Sequence, residues 1–179
     1  MVKNAPSGGG DMLNDILIVR SSTTRHTIPS LLTQVDFRGA VVADIGCGYG
    51  TKGLYAIRHG ASYAVLIDVD GRVIRRISNG VAMDRVVADA RLLPLRDSSI
   101  DIAIFWNVVN FIKEKDQAIN EVKRVCRGIT LFSTYNAMRA YWHYDEWSFA
   151  REVMRMGRPI TTKKVSNKQF QAIVVVNHD

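Results

Sequence analysis

From residue 39 onward, short apolar runs alternate with segments of helical periodicity. Residues 40–45 are apolar apart from Asp44 and run into glycine, the pattern of a buried strand. Residues 49–59 have helical character and stop at Gly60, a C-terminal cap. Residues 63–67 predict a second strand. Asp70 is placed to cap a helix carrying Val73, Ile74 and Ile77 and closed by Asn79-Gly80. Residues 85–88 and 100–106 predict a third and a fourth strand, the latter after the turn residues Asp97-Ser98-Ser99. Residues 115–126 lay Ala118, Ile119, Val122, Val125 and Cys126 on one helical face, and 129–133 predict a fifth strand. Strands alternating with helices imply a parallel sheet covered on both faces, and near-continuous apolar strands imply the same. The end differs: residues 160–165 and 168–176 flank Ser166-Asn167, a hairpin signal that adds antiparallel pairing at one edge.

Ahead of this alternation the pattern is looser. Residues 1–10 hold three consecutive glycines and a proline and read as a flexible lead-in. Residues 11–20 place Met12, Leu13, Ile16 and Leu17 on one side of an amphipathic helix. Pro29 opens a further short helix with Leu31, Leu32 and Val35 inward. The expected organisation is a lead-in with capping helices over 1–37 and one α/β domain over 38–179.

Composition narrows the class. At 179 residues, 47% hydrophobic and 23% charged, the chain has the balance of a single globular domain with an adequate core. Its longest apolar stretch, 100–112, is interrupted by Asp101, Asn107 and Asn110, so no membrane span is expected. The net charge of +7 is uneven, with 10 Lys/Arg against 5 Asp/Glu in residues 121–179. A basic C-terminal third suits a polyanion such as RNA, or is a solvated face. The start lacks an apolar secretory core, and Cys47 and Cys126 are far apart with no metal-ligand spacing. A reducing, cytoplasmic setting and no metal site are expected.

The strongest local signal is Val41-Val42-Ala43-Asp44-Ile45-Gly46-Cys47-Gly48-Tyr49-Gly50. A strand ends, and glycines follow at every second position. Glycine permits sharp reversal and close approach of a ligand, and the helix that follows offers N–H groups suited to a carboxylate or phosphate. A P-loop is excluded, because it would need glycine where Thr51 stands. A dinucleotide fingerprint exists as Gly48-Tyr49-Gly50-Thr51-Lys52-Gly53, with Asp68 twenty residues after Gly48. That reading, an NAD-dependent oxidoreductase, leaves Asp89-Ala90 without a role.

A third reading gives these residues work. Asp44-x-Gly46-x-Gly48-x-Gly50 resembles motif I of the class I S-adenosylmethionine (SAM) methyltransferases. Tyr63-Ala64-Val65-Leu66-Ile67-Asp68 is similar to the second strand of that family, whose terminal acid binds both ribose hydroxyls. Val87-Ala88-Asp89-Ala90-Arg91-Leu92-Leu93-Pro94 resembles its D-A-x-x-L-P stretch, where the aspartate accepts from the adenine amino group. Ser98-Ser99-Ile100-Asp101 resembles the entry to strand four. The resemblance runs over about residues 38–134. It implies a doubly wound, mostly parallel seven-stranded sheet with helices on both faces and a C-terminal antiparallel strand. It also implies SAM as cofactor and S-adenosylhomocysteine as product. Its donor site would comprise Gly46, Cys47, Gly48 and Gly50 in the loop and Asp44 near the ammonium. Asp68 would hold the ribose, Asp89 and Ala90 the adenine, and Val69 and Leu92 the apolar faces of the purine. Cys47 also reads as a small filler, although a helix N-terminus beside it favours a lowered thiol pKa.

The acceptor is less legible, because methyl transfer from a sulfonium needs mainly alignment and exclusion of water. Strand four ends in Asn107-Val108-Val109-Asn110. This departs from the [D/N/S]-P-P-[Y/F] motif of methyltransferases acting on exocyclic amino groups of nucleic acids. Residues 135–149 are dense in aromatics and read either as an acceptor wall or as a core-facing stripe. Asn107, Tyr135 and His143 are the candidate acceptor-side residues, His143 and His26 being possible bases by their ordinary pKa. A small-molecule acceptor is favoured slightly over RNA. A non-catalytic, methyltransferase-like partner subunit is the remaining alternative, and the oligomeric state is open.

Overall fold

A computed structural model describes residues 28–177. The helix expected over 11–20, and His26, lie outside the described residues. Seven strands form one sheet: β1 (Val41–Ile45), β2 (Tyr63–Asp68), β3 (Met83–Val87), β4 (Ile100–Trp106), β5 (Cys126–Tyr135), β6 (Gly157–Ser166) and β7 (Gln169–Val176). Their order is β3-β2-β1-β4-β5-β7-β6. β1 to β5 pair in parallel, whereas β7 runs antiparallel to both neighbours. The hairpin anticipated at the C-terminal end is thus β6–β7, turning at Asn167-Lys168.

Helices α1 (Thr51–Arg58), α2 (Gly71–Ile74), α3 (Lys115–Val125) and α4 (Glu146–Met156) cover the sheet. Alternation of side chains along each strand feeds two cores. On one face Val42, Leu66 and Ile104 meet Ala56 of α1, Ile74 of α2 and the preceding Leu31, Leu32 and Phe37. On the other, Ala43, Ile67 and Phe105 meet Ile119 and Val122 of α3 and Phe149 and Val153 of α4. Both layers are continuous, so the fully buried central strands need no alternation of polar residues, and the sequence shows none.

Several boundaries differ from expectation. α2 is one turn long: Asp70 caps it by accepting from the Arg72 N–H at 2.9 Å, but the helix ends at Ile74 rather than at Asn79-Gly80. Ile77 is buried all the same, which accounts for the apolar spacing. Cys126 is the first residue of β5 rather than the last of α3; its side chain is fully buried, so an apolar contact was read correctly in the wrong element. β3 starts earlier, at Met83. Its connection to β4 contains no helix, and Leu93 fills the core position there. Asp101 ties the strand beginnings together, accepting from the Val41 N–H at 2.9 Å and from Arg127 at 2.7 Å. No helix among the described residues is long and apolar enough to cross a membrane.

The chain leaves β1 toward β2 and β3, then returns to the other side of β1 as β4. The connection after β1 passes to one face and that after β4 to the other. A crevice must open between them at the carboxyl ends of β1 and β4, where open α/β sheets bind ligands.

Candidate functional site

The glycine loop that follows β1 is tied down by its own backbone. Gly46, Gly48 and Gly50 have φ of +70°, +55° and +75°, a left-handed conformation that side chains resist. The Gly46 and Cys47 N–H groups both donate to the Ile67 carbonyl, at 2.8 and 2.9 Å, which fixes the loop over the end of β2. The Gly48 N–H donates to Asp68 Oδ2 at 2.8 Å, and the Gly50 N–H to the Cys47 carbonyl at 2.9 Å. These four donors therefore serve the loop itself.

Asp44 lies beneath the loop. It is buried and accepts from the Gly53 N–H at 2.8 Å, capping the first turn of α1. Burial pushes its carboxyl above the usual carboxylate range, against the opposing charge of Lys52. It caps this turn and is not among the residues that line the crevice. Cys47 is buried under the same loop; burial, then the charges of Asp44 and Asp68, push its thiol well up. It is a filler, and the helix N-terminus does not prevail. Gly48 and Gly50 also stay outside the crevice wall.

The crevice itself encloses about 540 Å³. One wall is made by Ile45, Gly46, Ile67, Asp68 and Val69, continued after β3 by Ala88, Asp89, Ala90 and Arg91. The other is made by the segment after β4, with Asn107, Val108, Phe111 and Ile112, then Lys113, Glu114 and the more distant Tyr141. Of the residues singled out in the sequence, Gly46, Asp68, Val69, Asp89, Ala90 and Asn107 converge here.

Asp68 is held from both sides. Oδ2 accepts from Gly48 and Oδ1 from the Asp70 N–H at 2.9 Å, so each oxygen keeps acceptor capacity for one more donor. Asp89 forms a fork with the Arg91 guanidinium, which holds its carboxyl below the usual range. Asn107 adopts φ +59°, donates its N–H to the Ser133 carbonyl at 3.0 Å, and accepts from the Ser133 hydroxyl at 2.6 Å. Asparagine is among the few side chains that tolerate that backbone. At Gly46 a Cβ would stand 2.3 Å from a Val108 methyl, so glycine is what lets the two walls meet.

Leu92, expected against the purine, is 78% exposed and outside the wall; its neighbour Leu93 turned inward instead. Tyr135 and His143 do not reach the crevice either. The Tyr135 N–H donates to Asn110 Oδ1 at 2.9 Å, and His143 Nε2 sits 2.9 Å from the Ala137 carbonyl. Of the aromatics of 135–149, Tyr144 and Phe149 belong to the core, whereas Tyr135, Tyr141, Trp142 and Trp147 are exposed. Phe149 stacks between Phe132 and Phe170 at centroid distances of 5.6 and 5.4 Å. Tyr144 is buried beside them. Tyr141 is the aromatic of this segment that lines the crevice, and no spacing singles it out. Arg91, Val108, Phe111, Ile112, Lys113 and Glu114 were also missed; Arg91 was marked only by lying beside Asp89-Ala90.

A sheet of this order, one antiparallel strand, and a glycine-loop crevice at the β1/β4 switch define the class I methyltransferase fold. The family described as "Methyltransferase domain" matches residues 43–132, and the chain belongs to it. Among curated relatives, a fatty-acid O-methyltransferase of Mycolicibacterium smegmatis is 30% identical, over 68% of this chain and 45% of its own. A phthiotriol/phenolphthiotriol dimycocerosates methyltransferase of Mycobacterium ulcerans is 30% identical, over 80% of this chain and 52% of its own. The chain spans about half the length, or less, of the curated relatives it matches. Among solved structures, a SAM-dependent methyltransferase of Aquifex aeolicus superposes with a TM-score of 0.68 at 17% identity, covering 82% of this chain and 88% of that one.

Proposed function

We propose that this chain binds SAM in the crevice and methylates a small-molecule acceptor. The observation that carries the reading is the convergence of Gly46, Asp68, Asp89 and Asn107, distant in sequence, on one crevice at the topological switch. The donor set fits the ligand. Each Asp68 oxygen retains room for one donor, the pattern that two neighbouring ribose hydroxyls require. Ile45, Val69, Ala88 and Ala90 supply apolar surface for a purine, and Asp89 lies beside them. When bound, SAM supplies a methyl group already activated by its positive sulfur.

The protein's own work is then positioning. Asp68 and the Gly46 backbone orient the ligand along the ends of β1 and β2. Val108, Phe111, Ile112 and Tyr141 provide an apolar wall that excludes water and aligns an acceptor. Asn107, fixed by Ser133, stands on that wall as a polar group for the acceptor. The fatty-acid O-methyltransferase among the relatives supports an acceptor of small, apolar character. The two cysteines are free and buried, which supports a cytoplasmic setting.

Calorimetric titration with S-adenosylhomocysteine tests the reading. Wild type is expected to bind in the micromolar range and not to respond to NAD. Asp68→Ala is expected to lose at least about 100-fold in affinity, since charge-assisted contacts to the diol and the loop anchor vanish together. A folded wild type that ignores S-adenosylhomocysteine refutes the assignment.

A further inference from the structure

Three Asp-x-Arg turns in this chain are built alike: Asp36-Phe37-Arg38, Asp70-Gly71-Arg72 and Asp89-Ala90-Arg91. In each, the arginine N–H and Nε donate to the aspartate Oδ1, and Nη2 donates to Oδ2. Arg91 differs from the other two by reaching a second carboxylate. Its Nη1 lies 2.6 Å from Glu114 Oε2, at the N-terminus of α3 on the opposite wall of the crevice. The guanidinium therefore spans the mouth, joining the segment after β3 to the segment after β4.

This pairing crowds Asp89. Oδ1 accepts from the Arg91 N–H at 2.8 Å and from Nε at 3.0 Å; Oδ2 accepts from Nε at 3.1 Å and from Nη2 at 2.7 Å. Three N–H groups of one residue thus cover both oxygens, the single Nε hydrogen being shared between them, so that of about four acceptor positions at most one is left. A purine amino group therefore reaches Asp89 in competition with these donors. The three side chains are 37–41% exposed, so the ion pairs are of the weak, exchangeable kind.

We propose that Arg91 is a specificity-determining latch at the purine end of the crevice. Closed, it bridges Asp89 and Glu114. A ligand's exocyclic amino group opens it by taking Asp89 acceptor positions, while Arg91 remains on Glu114. A ring carbonyl at the same place leaves the latch closed and accepts from the guanidinium instead. Arg91 thus makes the site tolerant of a keto purine, and Glu114 makes opening for an amino purine affordable. The inference rests on the crevice being the SAM site.

The test compares S-adenosylhomocysteine with S-inosylhomocysteine, in which a carbonyl replaces the amino group, by calorimetry on the full chain. Arg91→Met is expected to raise the preference for the amino ligand about tenfold, the size of one hydrogen bond to a charged acceptor. Glu114→Gln is expected to act oppositely, weakening the amino ligand and leaving that preference at or below the wild-type ratio. Arg38→Met breaks the same turn at a site remote from the crevice wall and is expected to change neither affinity. If Arg91→Met and Glu114→Gln weaken both ligands by one common factor, Arg91 is only a strap and the latch is refuted while the SAM reading stands. If folded wild type binds neither ligand, the SAM reading falls and takes the latch with it.

Discussion

The two walls of the crevice are assembled from different kinds of contact. On the β1–β2–β3 side, backbone N–H groups meet carboxylates or a strand-end carbonyl: Gly46 and Cys47 on Ile67, Gly48 and Asp70 on Asp68, Arg91 on Asp89. On the β4 side, side-chain amides reach far along the chain. Asn110 Oδ1 accepts from the Tyr135 N–H, its Nδ2 donates to the Trp142 carbonyl at 2.8 Å, and Asn107 is tied to Ser133. The first wall needs aspartate and glycine at set spacings, because the backbone alone brings donor to acceptor. The second needs only apolar bulk held in place by residues that come later.

The sharpest way to break the distinction is to make one wall intrude on the other. Gly46→Ala does so, because its methyl would stand 2.3 Å from a Val108 methyl on backbone at φ +70°. Strain and overpacking together are expected to cost about 2–4 kcal/mol in stability. Val108 would be driven into the crevice, and S-adenosylhomocysteine affinity is expected to fall by about tenfold or more. The double variant Gly46→Ala/Val108→Ala should recover much of the affinity but not all of the stability, since the backbone strain remains. Urea denaturation and calorimetry on the three proteins measure both parts. Equal, uncoupled losses in the single and double variants would show that the walls do not touch through this pair.

A somewhat smaller effect should separate the walls. Asn110 is buried, and its amide serves two backbone groups of the later segment. Asn110→Ala leaves a donor and an acceptor unpaired and is expected to cost about 2–3 kcal/mol. The loss should fall on the β4 side. S-adenosylhomocysteine affinity is expected to stay within about threefold of wild type, while turnover of any acceptor drops. Loss of affinity as large as that of Asp68→Ala would mean that the donor wall depends on the acceptor wall.

This asymmetry also explains what the sequence disclosed. Asp68 and Asp89 were legible because one closes an apolar strand and the other follows one closely, and Gly46 because a reversal there requires positive φ. The mostly parallel sheet followed from alternation, and its antiparallel edge from the hairpin at Ser166-Asn167. Phe111, Ile112 and Tyr141 left no such trace, since an apolar side chain in a crevice looks like one in a core. Tyr135 and His143 were chosen from a segment that mixes the core residues Tyr144 and Phe149 with exposed aromatics, and no periodicity in it marks out a crevice wall. Asp44 is marked by its position in the motif, and the folded turn gives it the Gly53 N–H as partner. The short α2 and the displaced Cys126 are boundary errors of the same origin, because burial fixes which residues are apolar without fixing where a helix ends.

The smallest expected effect concerns Cys47, where two influences compete inside the donor wall. The start of α1 favours a thiolate, whereas burial and the nearby Asp44 and Asp68 disfavour it and prevail, raising the thiol pKa above its ordinary value. In the unfolded chain the thiol ionises near pH ~8.5. The folded state therefore holds a proton that the unfolded state releases as pH rises past that point. The contribution is fully present below the unfolded value and is lost progressively above it. Between pH 7.5 and 9.5 wild type is expected to lose about 1 kcal/mol more than Cys47→Ala in denaturant titrations. Alkylation of folded protein at pH 8 should be slow at Cys47 and at Cys126, whose thiol burial also raises. Rapid modification of Cys47 alone would show that the helix N-terminus governs it after all, and that the glycine loop opens to solvent on the donor side.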